Sequence, residues 1–325
     1  MVFDVSEEST LVVTISPPEK LDKTTVVRGL SCEWRGQTTE YEGQPVLVIE
    51  NKHCRAVVAY QGAQVLEFQR RGHAPLLWLS EASNFLPKRA IRGGIPLCFP
   101  WFGQHPTDPS ILSHGFVRNL PWTLYHVTED DSGHVLTFTF RDNEETRAIW
   151  PHAFNAMLEI RLGQSLELKF SVANVDKKPF DFTFAFHSYF AVDQITQTKV
   201  VGLENTPFFD QLAPEKGFHQ LERFPIEFHA ETDRIYQRAT GEYQIVQEHS
   251  KQRALIDAPD CSSAIVWNPW IEKTARLGDM DKDAWQNMLC VECGKVGAEV
   301  VTLGVSKVVS FTLTLASSFP EESLI

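Results

Sequence analysis

The chain has 325 residues, with 42 acidic against 30 basic side chains and a net charge of −12. That balance excludes the diffuse positive field on which general nucleic-acid and anionic-membrane binding depend, so neither is expected as a partner. Any small anionic ligand would need a locally basic pocket. An apolar content of 43%, with 22 Phe and 8 Trp, can fill a large core, and the length suits either two domains or one large β-sandwich.

Residues 1–42 mix charged clusters with one apolar run at 11–15 and a Pro17-Pro18 break, which suggests an N-terminal extension or an added edge strand. From Pro45 the pattern turns to β: PVLVIE, CRAVVAY, QVLEFQR and PLLWLS are short and bounded by Gly, Asn or His. Residues 90–122 break that pattern. Gly93-Gly94 loosen the backbone and Pro96, Pro100, Pro106, Pro109 and Pro121 forbid regular pairing, so a shaped loop is expected. Its apolar side chains, among them Phe99, Trp101 and Phe116, predict that it is packed.

Beyond the loop, Trp122 to Val127 and then HVLTFTFR read as strands. In the latter, Leu136, Phe138 and Phe140 alternate with Val135, Thr137 and Thr139, the pattern of one buried face. Residues 144–150 are the expected short helix, with Asn143 as its cap and Pro151 as its stop. AFNAMLEIRL and SLELKFSVAN form a hairpin about Gly163-Gln164. DFTFAF then alternates as one strand and delivers His187 at its end. Short strands are expected at Val200-Val201, Glu227-Phe228 and 243–246, and SSAIVWNPW, NMLCVEC, AEVVTLG and KVVSFTLTLA close the chain. Some fifteen strands with almost no helix predict an all-β fold, a large antiparallel β-sandwich in one domain over 43–318, with 319–325 as a C-terminal tail.

No apolar run has the length of a transmembrane helix, and MVFDVSEEST carries neither a basic nor an apolar leader region, so a cytoplasmic protein is expected. The six cysteines are too sparse for a disulfide framework. The final Ser323-Leu324-Ile325 resembles a peroxisomal Ser-Lys-Leu address without its basic residue, which leaves a peroxisome-like organelle as the minor alternative.

Several residues could carry chemistry. His187, in FAFHSYF, is either a hydrogen-bonded structural histidine or a proton donor. Glu292, in LCVECG, is an ordinary strand glutamate if it faces solvent and a candidate base if it faces a cleft, where burial would raise its pKa. Arg92 and Arg118 stand one at each end of the loop. Their planar forks suit either surface ion pairing or, if convergent, a phosphate dianion. Cys290-x-x-Cys293 stands alone, no HExxH or spaced histidine cluster is present, and no nucleotide-binding glycine motif occurs, so neither a metal nor a nucleotide loop is expected.

Taken together, AIRGGIP, CFPWFG, SHGFVRNLPWTL, FHSYF, VVGL, TDRIY, IVWNP and LCVE resemble the aldose 1-epimerase superfamily, most closely its glucose-6-phosphate 1-epimerase (hexose-6-phosphate mutarotase) branch. The resemblance runs from about Pro45 to Ala316. It implies a galactose mutarotase-like super-sandwich and a monomer that interconverts α and β anomers of a hexose 6-phosphate without a cofactor. It assigns His187 as acid and Glu292 as base, Arg92 and Arg118 as phosphate ligands, and His114 and Asp233 as residues lining the sugar site. Ser188, Val117 and Glu204 depart from the family pattern, which usually has Thr, Ala and Gly there.

Pyranose opening needs a base for the anomeric hydroxyl proton and an acid for the ring oxygen, here expected on opposite sides of the sugar. A neutral sugar such as galactose as substrate, or a non-catalytic sugar-phosphate-binding protein, are the alternative readings.

Overall fold

The structure, a computed structural model, describes residues 40–41, 44–83 and 85–319, without the side chains of 40, 41, 216 and 218–220. The expected N-terminal extension up to residue 39, and the tail beyond 319 with its Ser-Leu-Ile, lie outside the described residues.

Side-chain alternation builds the sheets. In the strand Gly133–Arg141, Leu136, Phe138 and Phe140 are buried while Val135, Thr137 and Thr139 are half-exposed. The hairpin Phe154–Leu162 and Leu166–Asn174 follows, turning at Gly163 as its sequence predicts. These strands belong to a nine-stranded antiparallel sheet that runs, edge to edge, through Ile226–Glu227, Thr198–Val201, Glu242–Gln247, Arg253–Asp257, Val308–Ser318, Leu166–Asn174, Phe154–Leu162, Gly133–Arg141 and Thr123–Asp130.

A second, eight-stranded sheet runs Gln220–Leu221, Pro207–Asp210, Thr232–Gln237, Ser263–Asn268, Met288–Lys295, Phe184–Phe186 and Leu97–Cys98, with Tyr189–Ala191 also pairing to Met288–Lys295. Phe138, Leu158, Phe170 and Leu313 from the first sheet meet Phe184, Phe186, Val266 and Val291 from the second in one continuous core. The fold is therefore a large antiparallel β-sandwich. A smaller four-stranded sheet, Glu40–Tyr41, Gln44–Glu50, Cys54–Ala59 and Val65–Arg70, adds Ile49, Val58 and Phe68 to that core. The short helix Glu144–Ile149 is capped by Asn143, whose side chain accepts from the Thr146 N–H at 3.0 Å.

Three local expectations are corrected. DFTFAF is two strands: Phe180–Phe182 pairs with Val301–Leu303, whereas Phe184–Phe186 joins the eight-stranded sheet. The switch falls at Thr183, whose N–H donates to the Pro100 carbonyl at 3.1 Å. PLLWLS makes only isolated bridges, Leu77 with Phe190 and Leu79 with Gly93.

The proline-rich segment is more regular than its composition suggests. Leu97–Cys98 is a strand, Ile95 bridges Val65, and Phe99 bridges Gly115. Gly94 (φ +61°) and Gly115 (φ +70°) permit this close approach. A Cβ at either would lie 2.1 Å from the Val65 carbonyl oxygen or 1.9 Å from that of Phe99. The Phe99 ring then sits 5.2–5.7 Å, edge-on, from Trp150, Phe154, Phe170 and Phe182.

Candidate active site

Period-two alternation sorts the strand Met288–Lys295 into two faces. Leu289, Val291 and Cys293 point into the inter-sheet core, so Met288, Cys290 and Glu292 point to the sheet's opposite face. Register carries that face sideways: Cys290 stands opposite Trp267, and Trp267 opposite Asp233. Cys290 and Cys293, three positions apart, thus face away from each other.

His187 follows directly on Phe184–Phe186. Its N–H donates to the Pro96 carbonyl at 3.0 Å, and the Tyr189 N–H donates to the Gly94 carbonyl at 2.9 Å, so the glycine-rich segment is laced to the histidine strand.

His187 Nε2 lies 3.4 Å from Glu292 Oε1, with the two side chains 9% and 2% exposed. His187 Nδ1 and Glu292 Oε2 have no hydrogen-bond partner among the described residues. Burial pushes Glu292 well above the usual carboxylate range, with the nearby Asp233 adding to the rise and Arg118 opposing it. Burial holds His187 well below its ordinary value, aided by His114, Arg118 and Arg92. His187 and Glu292, expected on opposite sides of a sugar, are brought within 3.4 Å because the segments flanking His187 pair with the strand of Glu292: Phe186 stands opposite Cys293 and Tyr189 opposite Cys290.

Arg92 donates through Nε to Asp279 Oδ2 at 3.1 Å and through Nη1 to the Tyr189 hydroxyl oxygen at 3.0 Å. Arg118, in the short 3-10 turn Val117–Asn119, donates from Nη2 to the Ser113 carbonyl at 3.0 Å, while its buried Nε has no partner among the described residues. Both guanidiniums act on His114. Burial first, then the charges of Arg118 and Arg92, pull it down to about 3, so its ring is neutral near pH 7. The Gly103 N–H donates to His114 Nδ1 at 3.3 Å, which leaves Nε2 to carry the ring proton as a donor. The His114 ring stands edge-on to His187, 5.6 Å between centroids.

Asp233, on Thr232–Gln237, accepts from Gln211 Nε2 at 2.5 Å. Burial raises it to about 6 against the lowering effect of that hydrogen bond. The six residues singled out in the sequence are thus near enough to act on one another: Arg92 and Arg118 on both histidines, and Arg118 and Asp233 on Glu292. Tyr189, Gln211 and Asp279 were not foreseen. Tyr189 could have been, since its two-residue offset from His187 in FHSYF puts both on one face of an extended chain; Asp279 and Gln211 lie in loops that carry no such signal.

The structure also brings together three possible metal donors that the sequence keeps apart. Ligand atoms of His187, Cys290 and Glu292 lie within 4.8 Å of one another. The two arginines that depress the histidines oppose a cation at this place.

The aldose 1-epimerase family model matches residues 45–315. A Cenchrus ciliaris protein provisionally named glucose-6-phosphate 1-epimerase is 33% identical over 254 residues, 74% of this chain and 75% of its own. An Escherichia coli K12 protein provisionally given the same name is 33% identical over 250 residues, 76% of this chain and 82% of its own. Among solved structures, a Salmonella typhimurium protein described provisionally as a mutarotase superposes with a TM-score of 0.82 at 28% identity, covering 91% of this chain and 97% of its own. A galactose mutarotase-related enzyme from Lactobacillus acidophilus shares the fold at a TM-score of 0.66 and 17% identity, covering 86% of this chain and all of its own. The chain belongs to the aldose 1-epimerase family.

Proposed function

We propose that this chain interconverts the α and β anomers of hexose 6-phosphates, glucose 6-phosphate first among them, by general acid/base ring opening and reclosure. The observation that carries the reading is the buried His187–Glu292 pair at 3.4 Å with the forks of Arg92 and Arg118 beside it. The relatives' names point to the same substrate. The remaining expectations form part of the proposal: a monomer working in the cytoplasm without a cofactor, with residues 43–318 as the catalytic domain.

The anomeric hydroxyl oxygen and the ring oxygen share one carbon, so a contacting acid/base pair can address both from one side. When the sugar reacts, the pair's one proton is on His187 and Glu292 is ionised: Glu292 takes the anomeric hydroxyl proton while His187 protonates the ring oxygen, and the C1–O5 bond opens to the aldehyde. That step leaves the proton on Glu292 and His187 neutral, the distribution that burial favours for the empty pair. After rotation about C1–C2, the reverse transfers close the ring on the other face. His114 Nε2–H donates to a sugar hydroxyl and Asp233 accepts from one. Arg92 and Arg118 hold the phosphate, whose remote binding energy fixes the sugar in a reactive pose.

Saturation-transfer NMR of glucose 6-phosphate anomers tests this with wild type, His187→Ala and Glu292→Gln. Exchange well above the buffer rate in wild type, falling by about 10²–10⁴ in each variant, is expected. Full activity in either variant would sink the assignment. Binding without exchange would make the protein a sugar-phosphate receptor, and equal rates on glucose and glucose 6-phosphate would make it an epimerase of neutral sugars.

A further inference from the structure

Arg92 is held from two sides. Asp279 Oδ2 receives Nε at 3.1 Å and stands 3.0 Å from Nη2, while the Tyr189 hydroxyl oxygen receives Nη1 at 3.0 Å. A guanidinium offers five N–H donors in one plane. Nε and Nη1 donate and Nη2 stands against the same carboxylate oxygen, which leaves at least one N–H on each terminal nitrogen. Two such N–H groups can meet two phosphate oxygens at once.

The frame around this arrangement is itself fixed. The Ser80 N–H donates to the Arg92 carbonyl at 3.0 Å, and the Ser80 hydroxyl donates to the Asp279 carbonyl at 2.8 Å. Arg92's own N–H donates to the Ser83 hydroxyl oxygen at 2.8 Å. One residue thus joins the backbone of the arginine to the loop that bears its carboxylate.

Tyr189, 2% exposed, is stacked on the His187 ring, 4.7 Å between centroids and 7° between planes, and on Trp78 at 5.9 Å. The same ring therefore touches the proposed proton donor with its face and the proposed anion ligand with its hydroxyl.

We infer that Tyr189 and Asp279 are positioning residues: they present the terminal fork of Arg92 to the substrate phosphate, and Tyr189 joins that grip to the orientation of His187. The inference rests on the hexose 6-phosphate reading above. Asp279 is suited to the task because it satisfies one edge of the guanidinium and leaves the other. A second carboxylate on the terminal edge would compete with the substrate anion.

The test uses the full-length protein and four variants beside wild type: Tyr189→Phe, Asp279→Ala, Asp279→Asn and Arg92→Leu. Anomer exchange gives KM and kcat for glucose 6-phosphate and for glucose, inorganic phosphate gives a competitive Ki, and circular dichroism gives Tm. Tyr189→Phe keeps the stack but loses the hydroxyl. It should raise KM for glucose 6-phosphate and Ki for phosphate about tenfold, more than it lowers kcat. Asp279→Ala should do the same, with Asp279→Asn between it and wild type because the amide oxygen still accepts.

A fifth variant, Tyr189→Leu, removes the stack as well, and should also lower kcat and move the acid limb of its pH profile. An unchanged phosphate Ki in both Tyr189→Phe and Asp279→Ala, with a raised one in Arg92→Leu, would leave the phosphate site standing and overturn the positioning role. An unchanged Ki in Arg92→Leu would overturn both. Equal losses on glucose and glucose 6-phosphate together with a lowered Tm would reduce the two residues to structural supports and overturn the inference as well.

Discussion

His187 Nε2 and Glu292 Oε1 stand 3.4 Å apart behind side chains that are almost fully buried, so the two groups titrate as one pair. Burial disfavours the imidazolium and the carboxylate alike. Between the lowered histidine and the raised carboxyl the pair therefore holds one proton. A second enters as His187 protonates at lower pH, and the last leaves as Glu292 ionises at higher pH.

The rate should follow that occupancy. We expect kcat for glucose 6-phosphate to pass through a plateau and to fall toward both lower and higher pH. The quantity to plot is kcat, because the substrate phosphate itself ionises near pH 6 and would distort kcat/KM. A kcat that changes in one direction only across the pH range in which the protein stays folded would contradict the one-proton pair.

Glu292 should also cost stability. Its folded-state pKa lies above its unfolded value, so the unfolded chain ionises first and stability falls as pH rises from the unfolded pKa toward the folded one. Glu292→Gln removes the titration. We expect the variant to be more stable than wild type at pH 7.5 by about 1–2 kcal/mol, in line with the cost that active sites impose on stability. The difference should vanish near pH 4, where both side chains are neutral. Urea unfolding at the two pH values measures it, and a variant less stable at pH 7.5 would refute the argument.

Arg92→Leu and Arg118→Leu should separate substrates. A charge-assisted hydrogen bond contributes about 1.5–3 kcal/mol, so each variant should raise KM for glucose 6-phosphate by roughly 10–100-fold. KM for glucose should move far less. Steady-state exchange on the two sugars distinguishes this from a general loss, and equal effects would contradict the assignment of phosphate binding to the arginines.

Phe99→Ala should test the core beneath the site. The ring is fully buried among four aromatic neighbours, and deleting such a side chain costs about 3–5 kcal/mol. A loss below 1 kcal/mol by urea unfolding would mean that the hub repacks freely. Gly94→Ala should also destabilise, because its Cβ would lie 2.1 Å from the Val65 carbonyl oxygen at a φ of +61°.

Much of this protein is legible in one dimension. The alternation of Leu136, Phe138 and Phe140, the Asn143 cap and the turn at Gly163 each depend on neighbours a few residues away, and the structure has them where local pattern places them. Motifs likewise pick out His114, His187, Asp233 and Glu292. Local pattern fails where a distant partner decides. DFTFAF alternates along its whole length, yet the chain changes sheets at Thr183 because Pro100 offers the next carbonyl.

For residues 90–122, composition alone determined that the segment is packed and that it carries two arginines. Only the tertiary structure decided what the arginines meet. Whether Glu292 faces core or cleft depends on the parity of its strand relative to Ile265, and whether it meets His187 depends on which strands are neighbours. Those are facts of long-range pairing, and a residue's own sequence neighbourhood holds no record of them.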